Sequence, residues 1–124
     1  MFSKTEITSI TQNLELHKFS EWGPIYEISF DLLIEVTEKT ESEEYRSILT
    51  FTKNLGQCCN IGDRVPGLYL RTDKEEFHIA TQIGNNGNRG FFSAEKYILN
   101  KWYQIKIKQY QIDQKTVSFL CFIG

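Results

Sequence analysis

The sequence predicts an all-β domain, an antiparallel β-sandwich with negligible helix, on three observations. Apolar and polar residues alternate with period two over most of the chain. Alanine, the strongest helix former, occurs only at Ala80 and Ala94, whereas nine Phe and six Tyr help raise the aromatic share to 14%. Turn-forming Gly, Asn and Asp residues fall between the alternating runs, where an all-β chain needs them. The 124 residues suit a single domain, 1–124, built around one core.

In chain order, residues 6–10 give a short and weakly patterned strand. From Ile28 the even positions Ile28, Phe30, Leu32, Ile34 and Val36 are apolar, while the odd ones read Glu27, Ser29, Asp31, Leu33 and Glu35, so a half-buried antiparallel strand is predicted over 28–36. The stretch TEKTESEEY, 37–45, carries too much charge for burial and is a solvated loop. Further strands are predicted over 46–53, 65–71, 77–83, 102–110 and 116–123. IGNNGNRG, 83–90, contains Asn86-Gly87, whose tolerance of positive φ predicts a tight hairpin connection, and YQIDQKT around Asp113 predicts a second. No apolar stripe at helical spacing exceeds two turns, and neither a repeat nor a low-complexity linker divides the chain.

Charge narrows the partners. With 14 basic and 16 acidic residues the net charge is −2, which gives no electrostatic reason to bind nucleic acid or an anionic membrane surface. MFSKTEITSI lacks the apolar core of a signal peptide, and no stretch approaches the ~18 apolar residues of a membrane span, so membrane insertion is not expected.

The stretch GQCCNIGDRVPGLYL, 56–70, concentrates the chemistry. Cys58, Cys59 and Cys121 are one sulfur short of a four-cysteine zinc set, and His78 falls outside ligand spacing. The adjacent pair is not a CxxC redox motif, and backbone geometry disfavours a bridge between neighbours. A disulfide from Cys121 to Cys58 or Cys59 is the expected bridge in an oxidising compartment. The alternative is Cys121 as a small buried hydrophobe between Phe119 and Ile123. Gly62-Asp63 has turn chemistry, and an Asp63–Arg64 ion pair would order the loop.

Three stretches carry a family resemblance. LNKWYQIKIKQYQIDQKTVSFLCFIG resembles the hairpin of concanavalin A-like lectin and glucanase domains, and of their laminin-G-like members, in which a Trp opens one strand and the next ends in an apolar residue plus Gly. EWGPIYEISFDLLI resembles their early long strand, and CCNIGDRVPGLYLRTDKEEFHIATQIG their central hairpin. The resemblance runs from about Trp22 to Gly124 and implies a jelly-roll sandwich that lacks its final closing strand or strands. It also implies an extracellular setting within a longer secreted or surface protein, and a sheet edge open to a partner chain or a second copy.

Calcium at a loop rim is a further implication of that resemblance, with Asp63, Asn60 and nearby carbonyls as ligands. One local carboxylate falls short of what a site of six to eight oxygens usually holds, so calcium is not indicated and no cofactor is expected. The glucanase members carry a Glu-x-Asp-x-Glu-like strand. Here Glu27, Ser29 and Asp31 replace its central Asp with Ser, and neither His17 nor His78 belongs to a nucleophilic set, so an enzyme is not expected.

Recognition chemistry remains. Tyr69, Trp102 and Tyr110 on predicted strands are possible sugar platforms, although Trp22 and Trp102 are read first as core or edge packing. Residues 56–64 precede one strand of the central hairpin and 83–90 follow the other, so both connections fall at one end of it. They are expected to form an exposed rim of Asp63, Arg64, Asn85, Asn86 and Asn88, with Arg71 and Tyr69 near by. Two functions fit: a recognition or adhesion module binding a glycan or protein at that rim, or a structural subunit docking a partner along a β-edge.

Overall fold

Alternation decides which way each strand faces. In the strand Trp102–Gln111, the side chains of Tyr103, Ile105, Ile107 and Gln109 are buried while Trp102, Gln104, Lys106, Lys108 and Tyr110 are exposed. The computed structural model describes residues 15, 18–21, 23, 25–53, 58–83, 86–111 and 117–124. Among these, every regular element is a strand: β1 Tyr26–Leu33, β2 Tyr45–Thr50, β3 Gly67–Arg71, β4 Glu76–Ile83, β5 Asn86–Lys96, β6 Trp102–Gln111 and β7 Val117–Ile123. They form two antiparallel sheets, β1-β6-β7 and β2-β3-β4-β5.

The inward residues of both sheets meet in one core. Leu68, Leu70, Phe77 and Ile79 come from the four-stranded sheet, Tyr103, Ile105 and Ile107 from the three-stranded one, and Ile34 and Tyr97 from the segments that follow β1 and β5. Phe77 spans the layers, with its ring edge-on to Tyr103 at 5.2 Å and to Tyr97 at 5.9 Å. The Tyr103 hydroxyl accepts the Ile98 amide at 2.8 Å, so this ring is fixed at both ends. Each such apolar side chain contributes on the order of 1.5–3 kcal/mol when taken from water.

Strands at six of the expected places are present with shifted ends. The predicted strand over 46–53 starts one residue earlier and ends at Thr50, and its pairing with β3 carries a bulge between Ser47 and Leu49. The chain stays beside its neighbour beyond that point through Phe51 N to Pro66 O, 2.8 Å, and Lys53 N to Gly62 O, 2.8 Å. The strand expected at 6–10 and the loop around Asp113 lie outside the described residues.

Two expectations are corrected. Asn86-Gly87 is not the hairpin turn: Asn86 stands opposite Ile83 within the ladder, and the chain from Asn86 to Lys96 is an additional strand, β5, at the edge of its sheet. Its sequence NGNRGFFSAEK lacks alternation because its outward positions include glycine and its pairing with β4 is bulged twice, so no period of two survives. Trp102 is not packed inside. It begins β6 on the outward phase and is 65% exposed.

Candidate ligand-binding face

Because Leu68, Leu70, Phe77 and Ile79 turn inward, their neighbours on β3 and β4 form the outer face of the four-stranded sheet. Register arranges that face in cross-strand rows. One row is Thr50, Gly67, Ala80 and Gly90; the next is Ser47, Tyr69, His78 and Phe92; the third is Tyr45, Arg71, Glu76 and Lys96. Small residues thus lie beside an aromatic row, which lies beside a charged one.

The aromatic row is tightly built around His78. Its ring centroid is 4.5 Å from Phe92, 5.0 Å from Tyr45 and 6.0 Å from Tyr69. The two glycines make the space for these rings. A Cβ at Gly90 would come within 2.6 Å of His78 Cε1, and one at Gly67 within 2.7 Å of the Tyr69 ring. His78 is buried, and its pKa is lowered, first by desolvation and then by the Arg64 charge, so the imidazole stays neutral. Tyr45 and Phe92 remain 39% and 46% exposed and leave ring surface open to solvent.

Arg71 is locked on the same face. Its Nε and Nη2 donate to Asp73 Oδ1 and Oδ2 at 2.9 and 3.2 Å, and Glu43 lies 3.6 Å away. The guanidinium sits 5.2 Å from the Phe92 centroid and 6.0 Å from that of Tyr45. The bond to Arg71 pulls the Asp73 carboxyl below its usual range. Tyr45 donates to Glu43 Oε1 at 2.5 Å, and partial burial together with that carboxylate pushes the phenol up to about 12.

At the other end of the face the two predicted loops do meet, since Arg64 Nη2 donates to Asn88 Oδ1. The exposed rim is nevertheless corrected. Asp63 is only 3% exposed, because its carboxylate turns back to accept the Asn60 amide at 2.9 Å while its own amide donates to Asn60 O at 3.1 Å. Gly62, at φ 90°, makes that reversal. The Asp63–Arg64 ion pair does not form. Arg64 instead leaves the loop, passes 6.0 Å from the Tyr69 ring and is buried at 6% exposure.

The other anticipated residues are distributed as follows. Asn86 is exposed and its Oδ1 accepts the Asn88 amide at 2.9 Å, whereas Asn85 lies outside the described residues. Tyr69 and Arg71 stand on the sheet face rather than at the rim. Cys58 and Cys59 lie in an exposed loop, where the cis peptide between them brings their Cα atoms to 3.0 Å. Cys121, the third cysteine, stands opposite Ile107 on β7, in the other sheet. Among the described residues no group of three His, Cys, Asp or Glu could hold a metal ion.

Tyr45 and Phe92 were not singled out by sequence. Their signal is relational: Phe92 joins the site only once β5 is a strand, and Tyr45 only once the charged loop ends in β2. No protein-family model, curated protein or solved structure matches this chain.

Proposed function

We propose that this chain is a non-catalytic recognition module that binds a glycan on the outer face of the β2–β5 sheet. The exposed Tyr45 and Phe92 rings that flank the fixed Arg71–Asp73–Glu43 set carry the proposal. An aromatic ring takes the apolar face of a pyranose, and paired charges of both signs give donors and acceptors for its hydroxyls. Pre-organisation lowers the ordering cost of binding, and Arg71 is already held by carboxylates and rings. The jelly-roll arrangement and the extracellular setting implied by the family resemblance belong to the same proposal.

Glycan-array binding by the parent chain and by Tyr45→Ala and Phe92→Ala is the test. Binding that both substitutions weaken, with the melting temperature held within a few degrees, supports the proposal. The competing function is edge docking along β5, the 11-residue terminal strand of its sheet. It predicts no glycan binding together with a concentration-dependent oligomer, which sedimentation would detect.

A further inference from the structure

Arg64 and Arg71 occupy opposite ends of one sheet face, and they are satisfied very differently. Arg71 presents its Nε/Nη2 edge to a carboxylate of its own chain, Asp73, with one oxygen on each nitrogen. Arg64 is the more deeply buried of the two, yet among the described residues its Nε has no hydrogen-bond partner and its Nη2 has only the neutral amide oxygen of Asn88. Of the 16 acidic residues all but Glu6 and Asp113 are described, and none of those forms an ion pair with Arg64. Nearby, His78 Nδ1 is also buried without a partner, and the imidazole stays neutral, so no second cation competes there.

A buried charge without a counter-charge is costly, and a lone buried donor adds its own desolvation penalty. A fixed guanidinium edge with one nitrogen empty and the other on an amide is complementary to a carboxylate, as Asp73 on Arg71 demonstrates within this molecule. Asn88 is exposed and on the edge strand, so its side chain can be displaced by a group that binds Arg64 more strongly. The exchange replaces a neutral acceptor by a charged one, which makes roughly twice as strong a bond.

We propose that the glycan bound by this face is acidic, and that its carboxylate takes the Nε/Nη2 edge of Arg64 in place of the Asn88 amide. This rests on the recognition function proposed above. Tyr45 and Phe92 are at the Arg71 end of the face, so the sugar ring and the carboxylate are read at separate places.

The experiment compares uronate- and sialate-bearing glycans with their carboxyl-reduced counterparts on one array, for the parent chain and for Asn88→Asp. Asn88→Asp supplies Arg64 with an internal carboxylate at an exposed position. The parent should prefer the acidic member of a pair by on the order of tenfold or more. Asn88→Asp should abolish that preference, keep binding of reduced glycans, and raise the melting temperature. Arg64→Lys, which keeps the charge but loses the two-pronged edge, should also lower the preference. Equal binding of acidic and reduced members, still sensitive to Tyr45→Ala, overturns this inference and leaves the recognition function standing. Absence of all glycan binding overturns both. Binding of polyaspartate that Asn88→Asp removes, with no acidic glycan bound, assigns the edge to a protein carboxylate and overturns the glycan as its source.

Discussion

His78 is surrounded by rings and by charge, and both lower its affinity for a proton. Its ordinary value is 6.5, and desolvation first, then Arg64 and Arg71, bring it down in the folded state. Below 6.5 the unfolded chain therefore binds a proton that the folded chain refuses, and stability falls as the pH drops through that window. Above 6.5 the contribution is fully present. Denaturation midpoints measured between pH 7.5 and 5 should decline, and His78→Phe should flatten the decline. Asp73, whose carboxyl is also lowered, adds its own loss only as the pH falls below its ordinary 3.8, outside the pH 7.5 to 5 range. Asp63 belongs at this scale too. Sequence placed it correctly in a turn, but not its direction, because a carboxylate facing solvent and one accepting an amide three residues back have the same local sequence. Asp63→Ala removes the acceptor that ties the Asn60 amide back to the loop and should cost about 1 kcal/mol, read as a lowered melting temperature. Asp63→Asn, which retains an acceptor, should cost less.

Elements were legible to the extent that their own residues alternate. β1, β4 and β6 could be read because one face is apolar and the other is not, and β3 because it is a short apolar run before a turn. β5 could not, since its place is set by its partner: Gly90 is small because His78 lies over it, and Phe92 faces outward because it pairs with His78. The candidate site shared that fate. Arg71 and Tyr69 were legible as polar and aromatic residues on a strand, but the row that joins His78 to Phe92 exists only across strands. Gly90→Ala tests the dependence directly. The new methyl would sit 2.6 Å from His78 Cε1, and the ring is hemmed in by Tyr45, Tyr69 and Phe92, so it cannot swing away freely. A loss of about 1–3 kcal/mol is expected, with altered NMR shifts at His78 and Phe92 but not at Ile105 or Ile107 across the core.

At the scale of the molecule, the local code ends where the sheets begin. Turn residues announced which strands follow one another, but the pairing of β1 with β6, which sets Tyr26 beside Gln109, has no local signal, and neither does the assignment of β2 to the other sheet. What ties the layers together is the set of side chains projecting between them, and Ile105 is at its centre, wholly buried on the middle strand of the three-stranded sheet. Its loss would open a cavity bordered by both layers rather than by one. Ile105→Ala should therefore cost about 2–5 kcal/mol, a large share of the roughly 5–15 kcal/mol typical of a domain. Since one core serves both sheets, unfolding should remain a single transition. Amide exchange measured for Ile107 on β6 and Ile79 on β4 should accelerate by the same factor in the variant. Acceleration confined to β1, β6 and β7 would mean that the sheets unfold separately, and that the face built from Tyr45, Arg71, His78 and Phe92 can persist without the layer behind it.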